Sequence, residues 1–154
     1  MRREFVEQTV RPWPALQNSA GKSLLLDALM PVAFGGACVR RAGLGPRLLY
    51  VVGGNLASVE IFDPQTNSWT AGVALPAGRA YAAAAALESK IYLVGGEDGS
   101  SKVEAFDPQT GVWAALAPMP TARQGAGAAV LDGKIYVVGG FDGGTRLATV
   151  EVYD

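Results

Sequence analysis

The sequence contains no histidine and a single cysteine, Cys38. Histidine is the usual general base and a frequent zinc ligand, so its absence removes every Ser-His and Cys-His nucleophile pair. One cysteine excludes an internal disulfide and fits a reducing compartment. We therefore expect no enzymatic activity, no cofactor and no metal site.

Charge and long apolar runs are also scarce. Charged residues make up 18% of the chain and the net charge is −1, which leaves no basic surface for nucleic acid. The longest apolar stretch, 28–39, is interrupted by Pro31 and is too short to span a bilayer. Glu4 and Glu7 occupy the place of a signal peptide's cationic flank. These features predict a globular, cytoplasmic protein that binds neither nucleic acid nor membrane.

An internal repeat is the strongest pattern in the chain. Two segments share the sequence FDPQT and a following tryptophan at an offset of 44 residues. They are IFDPQTNSW at 61–69 and AFDPQTGVW at 105–113. VEVYD at 150–154 begins a third copy. Upstream of each copy, an apolar segment ends in a glycine pair: LLYVVGG at 48–54, KIYLVGG at 90–96 and KIYVVGG at 134–140. A coincidence of this length does not arise from composition.

Each repeat is predicted to form four antiparallel strands, A to D. Strand A is the small-residue run at 80–87 or 124–131, strand B ends in the glycine pair, strand C contains Val-Glu, and strand D carries the tryptophan. The five alanines at 82–86 favour a helix by themselves. The equivalent run contains two glycines, and an innermost propeller strand requires small side chains, so we expect a strand.

Turn residues support these boundaries. Asp132-Gly133 is a two-residue hairpin signal between strands A and B. Between strands C and D, Asn67 in one copy is replaced by Gly111 in the next. Both residue types tolerate positive φ, so this position is predicted to have a left-handed backbone.

The glycine pair, the VE-x-[FY]-D-P segment and the tryptophan together resemble the kelch repeat, whose units are four-stranded propeller blades. The resemblance covers residues 48–154. It implies an all-β fold, a partial kelch β-propeller of about two and a half blades, at 48–70, 79–115 and, incomplete, 123–154. The tryptophans are expected at equivalent buried positions, and the glycine pairs are expected to let a neighbouring blade or aromatic ring approach.

Residues 1–47 lack the repeat and are predicted to be a helical and linker segment, with helical stretches at 5–10 and 19–30. This segment resembles the BACK-to-kelch junction of BTB–BACK–kelch proteins. In that family the propeller opens on strand B, because the missing inner strand comes from the C-terminus. The resemblance therefore implies that the first blade here opens at Leu48 without a strand A.

One face of the predicted propeller varies between repeats. The B–C connections, counted from the second glycine to the valine of strand C, take 5, 7 and 10 residues, whereas the A–B and C–D turns keep their length. Variable loops on a rigid scaffold are the usual place for recognition. Candidate partner contacts on these loops are Asp98 in the second connection and Asp142 and Arg146 in the third.

Arg79 and Arg123 lie on the same face, each ten residues after its tryptophan. The resemblance implies that arginines here contact acidic degrons of substrates, and a guanidinium suits bidentate recognition of a carboxylate. The alternative is structural. Glu60, Glu104 and Glu151 also recur once per repeat, so each arginine has a possible partner inside the scaffold.

The sequence therefore predicts a protein–protein interaction module for a partner with an acidic motif. The resemblance implies substrate recognition in a cullin–RING ubiquitin ligase adaptor, with cullin bound through a BTB domain that this sequence does not contain. The alternative is an actin-binding or cytoskeletal scaffolding kelch protein. Kelch-fold sugar oxidases need copper ligands that a chain without histidine cannot assemble in the familiar way. Apolar blade faces at both ends of the arc are expected to drive association.

Overall fold

Short antiparallel strands build three sheets in the computed structural model, which describes residues 36–40, 48–54, 56–97 and 100–154. In chain order the strands are β1 (Gly36–Arg40), β2 (Leu49–Gly53), β3 (Val59–Asp63), β4 (Ser68–Ala71), β5 (Ala83–Leu87), β6 (Lys90–Val94), β7 (Val103–Asp107), β8 (Val112–Leu116), β9 (Gly127–Leu131), β10 (Lys134–Val138) and β11 (Val150–Tyr153). Strands β1–β4 form blade 1, β5–β8 form blade 2, and β9–β11 form blade 3. The predicted all-β fold is confirmed. In the part of the chain that the structure describes, no helix has the length and apolar character needed to cross a membrane.

The alanine-rich segment forms a strand, as predicted. Ala83–Leu87 pairs antiparallel with β6 along its whole length, and Ala85 is buried against blade 3. Larger side chains would not fit where the innermost strands of adjacent blades converge. Tertiary packing therefore overrides the helix propensity of alanine.

The tight turns also follow the sequence. Asp132 and Gly133 have φ values of 50° and 74°, as a type I′ hairpin turn requires. The equivalent turn of blade 2 uses Glu88 and Ser89, at 49° and 65°. The predicted left-handed position between strands C and D is likewise confirmed, since its residue has a φ of 53° in one copy and 71° in the next.

Apolar side chains from facing sheets form two cores, one at each junction between blades. The first core contains Tyr50, Val52, Val59, Leu75, Ala82, Ile91, Leu93 and Phe106. The second contains Ala85, Val94, Val103, Met119, Ile135 and Val137. Each core contains side chains from two blades. Burial of these apolar side chains therefore stabilises the individual blades and also holds neighbouring blades together.

The glycine pairs allow close approach of the next blade, as predicted. Gly53 has a φ of 88°, and a Cβ added there would lie 2.5 Å from the carbonyl oxygen of Arg79 in the segment leading into blade 2. At the next junction, the Gly96 N–H donates to the carbonyl of Arg123 over 3.0 Å. The backbone of one blade thus packs directly on the backbone of the next, and a side chain at the glycine would force the two apart.

The first blade differs from the prediction. It does not open on strand B at Leu48, because β1 (Gly36–Arg40) pairs with β2 over five residues and supplies the innermost strand. Blade 1 therefore runs from 36 to 71, which removes the structural argument for a BACK-to-kelch junction. Sequence reasoning missed β1 because eight residues separate it from β2, whereas two-residue turns join the A and B strands of the other blades. The helices predicted at 5–10 and 19–30 lie outside the described residues.

The two tryptophans occupy equivalent positions, as predicted. They are half-buried, however, and not fully buried as expected. Trp69 is paired in register with Phe62, and Trp113 with Phe106. The ring centroids are 5.0 Å apart in both pairs. The Trp113 indole N–H donates to the carbonyl of Val73, 3.2 Å away in the connection from the preceding blade. Each ring lies on an outermost strand, where one side remains open to water.

Candidate functional site

A groove of about 600 Å³ opens where the connections into blades 2 and 3 meet the third B–C loop. Its lining includes Tyr81, Gln124, Gly125, Phe141, Arg146 and Leu147. All of these residues lie on connections D–A or B–C, which the repeat places on one face of the propeller. The groove therefore occurs on the face whose loops vary in length, as expected for a recognition surface.

The third B–C loop folds back on its own blade. Phe141 pairs with Gln124 through two backbone hydrogen bonds of 2.9 Å, and it forms a second antiparallel bridge with Arg146. The Leu147 N–H donates to the carbonyl of Gly140 over 2.8 Å. These contacts extend the sheet of blade 3 beyond its strands and hold the backbone of Arg146 at the rim of the groove.

Asp142 builds this loop. Its Oδ1 accepts from the backbone N–H groups of Gly144 and Thr145 at 2.8 and 2.7 Å, and its Oδ2 accepts from the Thr145 hydroxyl at 3.1 Å. These hydrogen bonds, with those from Thr145 and Gly144 largest, hold the pKa of the carboxyl below its ordinary value. Asp142 was predicted to contact a partner; its carboxylate is exposed and also holds this turn, and the partner contact stays a prediction. The other predicted acidic contact, Asp98, lies outside the described residues.

Tyr81 has an unusual backbone for an aromatic residue. Its φ is 55°, and its side chain is 47% exposed in the groove. The equivalent residue of blade 3 is Gly125, at 62°, and its N–H donates to the Tyr81 carbonyl over 2.8 Å. A left-handed conformation costs a non-glycine residue roughly 1–2 kcal/mol. Such strain occurs preferentially at functional sites. Sequence reasoning missed Tyr81, although a large aromatic where the repeat has glycine was a usable signal.

Arg146 gives the groove its charge. It is exposed, and it is the one formally charged residue among those that line the groove. Within the described residues its guanidinium has no ion-pair partner. With the rings of Tyr81 and Phe141 beside it, the groove combines a fork of hydrogen-bond donors with apolar surface. This combination suits a carboxylate carried on a partly apolar segment.

Arg123 lies inside blade 3. Its side chain is 0% exposed, and its Nη2 is 2.6 Å from Oε1 of Glu151 on β11. Its Nη1 donates to the carbonyl of Gly139 at 2.9 Å, and its Nη2 also donates to the Thr149 hydroxyl at 3.2 Å. Its Nε donates to the carbonyl of Thr121 at 3.3 Å. A guanidinium so enclosed has no surface for a partner, so the geometry favours the scaffold interpretation over the degron contact.

Arg79 has the same role in blade 2. Its Nη2 lies 2.9 Å from Oε2 of Glu104, and both side chains are largely buried. Burial lowers the pKa of Arg79, and the charge of Glu104 acts in the opposite direction. By the register of β1, the sequence of blade 1 has alanine at position 33 in place of the arginine, and Glu60 is exposed. The glutamate is therefore largely buried in the blade that has the arginine and exposed in the blade that lacks it.

Two other features carry no site. A smaller cavity of about 140 Å³ lies at the junction of blades 2 and 3, lined mainly by apolar residues such as Val103, Met119 and Val137. This cavity is part of the hydrophobic core between the two blades. Among the residues that the structure describes, no group of three or more Cys, Asp or Glu side chains is placed to hold a metal ion.

Comparison with known proteins agrees with this geometry. Residues 78–120 and 122–154 match the family model of the kelch motif. A solved structure titled "Structure of YjhT" is similar, with 27% sequence identity and a TM-score of 0.60. The match covers 69% of this chain and 34% of that one, so the chain spans about a third of that protein's length. None of the curated proteins matches the sequence. The prediction of a partial propeller is confirmed.

Proposed function

We propose that the chain, a partial β-propeller in which two segments match the kelch motif, recognises a partner protein through an acidic segment bound in the groove. Kelch repeats indicate a protein–protein interaction module, and such propellers are generally binding modules rather than enzymes. The observation that carries the finer proposal is Arg146, held at the rim of the groove beside two aromatic rings.

Four features of the groove favour a peptide ligand. Its volume accommodates several side chains, and it lies on loops rather than inside a blade. Tyr81 and Phe141 provide aromatic surface, which dominates the affinity of many protein interfaces. Gln124 adds an amide that can donate and accept hydrogen bonds. The buried arginines of the blades hold the scaffold beneath this surface and leave recognition to Arg146.

The test begins with a random-peptide display library panned on the immobilised chain. We expect the enriched peptides to contain Asp or Glu. Resynthesis with Asn and Gln at those positions should weaken binding about tenfold or more, because a hydrogen bond to a charged group contributes roughly 1.5–3 kcal/mol. Fluorescence anisotropy of the labelled peptides measures the difference.

Variants assign the binding to the groove. Arg146→Glu should abolish binding of the acidic peptides with little change in melting temperature, because the side chain is exposed. Lys90→Glu is the matched control, since it makes the same charge change at an exposed position beside the A–B turn, on the opposite face. Equal losses from the two variants, or equal affinity for acidic and amide peptides, would contradict the proposal.

Tyr81→Gly separates binding from folding. Blade 3 has glycine, Gly125, at the equivalent position, and glycine adopts this φ without strain. We therefore expect a melting temperature at least equal to that of the parent chain, together with weaker peptide binding. A lower melting temperature would show that the ring stabilises the scaffold.

At the finest level we propose that the recognised protein is a substrate of a cullin–RING ubiquitin ligase. The support is the resemblance of the repeats to those of kelch adaptors and the concentration of loop variation on one face. Co-precipitation of a cullin with the tagged native gene product tests this role. Co-sedimentation with actin filaments in the absence of cullin capture would favour the cytoskeletal alternative.

A further inference from the structure

Three residues on the loops of blade 3 lie side by side, just beyond the strands of its sheet. Gln124 and Phe141 exchange two backbone hydrogen bonds of 2.9 Å, so they form a hydrogen-bonded antiparallel pair. Arg146 is directly opposite Phe141 in the next bridge. Directly opposed residues carry their side chains on the same face of a sheet, and all three residues line the groove.

Phe141 and Arg146 form the other type of antiparallel pair, in which the two residues do not bond each other. The hydrogen bonds of this bridge join the residues on either side of the pair, which are Leu147 with Gly140 at 2.8 Å and Asp142 with Thr145 at 3.2 Å. In such a pair each residue directs its N–H and C=O away from the other. Those of Phe141 face Gln124, so those of Arg146 face the outer side of the loop.

The backbone of Arg146 is therefore an open sheet edge. Within the described residues, neither its N–H nor its carbonyl has a hydrogen-bond partner, and the residue is exposed. A free donor and a free acceptor on an exposed edge are a template for one more strand. Addition of an extended peptide to such an edge is a recurring mode of peptide recognition. Here the edge belongs to the residue whose guanidinium gives the groove its charge.

The connection that leaves a blade runs along this side of the B–C loop, as the one from blade 2 shows. The Met119 N–H donates to the Ser101 carbonyl over 2.8 Å, and the Arg123 N–H donates to the Ser100 carbonyl over 3.1 Å. After Arg123 the chain enters blade 3 at Gln124. These hydrogen bonds define the part of a B–C loop that a connection of this kind occupies.

The corresponding part of the loop in blade 3 stops short of Arg146. Leu147 stands at the position of Ser100, since each donates its N–H to the carbonyl of the second glycine of its pair, over 2.8 and 3.2 Å. Ala148 then stands at the position of Ser101. Arg146 lies one residue nearer to the tip, in a connection that takes 10 residues against 7 in blade 2. The open edge is thus a feature of the longer loop.

We propose that the acidic segment binds in an extended conformation, as an antiparallel strand paired with Arg146. This mode of binding rests on the proposed function, since it concerns the same ligand in the same groove. One residue of the segment exchanges two hydrogen bonds with the Arg146 backbone, and its side chain lies on the groove face beside the guanidinium. That residue is the Asp or Glu, because opposite charges on directly opposed residues attract. Its two neighbours in the segment face away from the groove, as alternation along a strand requires.

Backbone N-methylation tests this pairing in a panned peptide whose binding depends on one acidic residue. Methylation of that residue's nitrogen removes the donor to the Arg146 carbonyl and places a methyl group against it. We therefore expect binding to weaken about tenfold or more in fluorescence anisotropy. The matched control is methylation of the next residue, whose N–H faces away from Arg146, and affinity should stay within about twofold.

The amide of Arg146 gives a second readout, on the intact chain. Its hydrogen exchange, followed in NMR spectra, should slow about tenfold or more when the peptide saturates the groove. The Thr145 amide already donates to Asp142 and should change little, so it is the internal reference. Equal effects of the two methylations, or an Arg146 amide that exchanges as fast in the complex, would overturn strand pairing while leaving the groove as the binding site.

Failure of the proposed function has a different signature. A parent peptide that binds the Arg146→Glu variant as tightly as the unmodified chain would show that the acidic segment does not bind at this groove. Strand pairing at Arg146 would then be overturned together with the proposed function.

Discussion

Arg123 and Arg146 belong to the same blade but have opposite environments. Arg123 is enclosed and donates hydrogen bonds to Glu151, to the Thr149 hydroxyl and to three backbone carbonyls, whereas Arg146 is exposed at the rim of the groove. A sequence shows that arginine and glutamate recur together, but it does not show whether the arginine folds back along its blade. The candidate site was therefore predicted only in part. Arg146 lies in the groove, Arg79 and Arg123 support the scaffold, and Tyr81 was missed.

Arg123→Ala is expected to lower the free energy of unfolding by about 3–5 kcal/mol, because it leaves Glu151 largely buried without its partner. Urea denaturation at neutral pH measures the loss. Arg146→Ala removes the same kind of side chain from an exposed position and should change stability by no more than about 0.5 kcal/mol. Equal effects of the two substitutions would mean that the buried ion pair contributes nothing to the stability of blade 3.

At the scale of elements, prediction succeeded where the repeat was regular. Strands B and C, the left-handed turn positions and the strand conformation of the alanine run follow from periodicity and turn chemistry. Strand β1 was missed because the residues between it and β2 depart from the two-residue turn, so no local signal joins the two strands. A strand that lacks its hairpin turn is defined by its partner in the sheet, and single-sequence reasoning does not see that partner.

The third B–C loop contains a turn that the Asp142 carboxylate helps to hold. Hydrogen bonds from Thr145 and Gly144 hold the pKa of Asp142 below its ordinary value, so the ionised form favours the folded loop. That contribution is present above the pKa of the unfolded chain, about 3.9, and is lost as the pH falls through the lower pKa of the folded state. We expect amide protection at Thr145, measured by hydrogen exchange in NMR spectra, to decrease across that range.

Asp142→Asn gives the matched variant for this loop. The amide oxygen still accepts from both backbone N–H groups, but the side chain does not titrate. Protection at Thr145 should then be independent of pH in the acid range. A parent chain whose protection also stays constant on acidification would show that Asp142 does not control the loop.

At the scale of the whole molecule, stability depends on how closely consecutive blades approach. In a repeat fold each unit contacts its neighbours, so the junctions decide whether the blades unfold together. The two glycines at the end of β2 offer a direct test of this dependence. Gly53 and Gly54 have nearly the same φ, 88° and 82°, but only a Cβ at Gly53 would meet the next blade, at the Arg79 carbonyl.

Gly54→Ala should therefore cost only the strain of a left-handed alanine, roughly 1–2 kcal/mol. Gly53→Ala carries the same strain and must also separate the backbones of blades 1 and 2, so the larger loss of stability is expected there. Urea unfolding curves monitored by tryptophan fluorescence give both values. Because the indole N–H of Trp113 donates to the carbonyl of Val73 in the connection between these blades, its emission reports the junction itself. We expect Gly53→Ala to broaden the transition, as blade 1 loosens before blade 2, and Gly54→Ala to shift it without broadening. Identical curves for the two variants would show that the backbone contact between blades does not couple their unfolding.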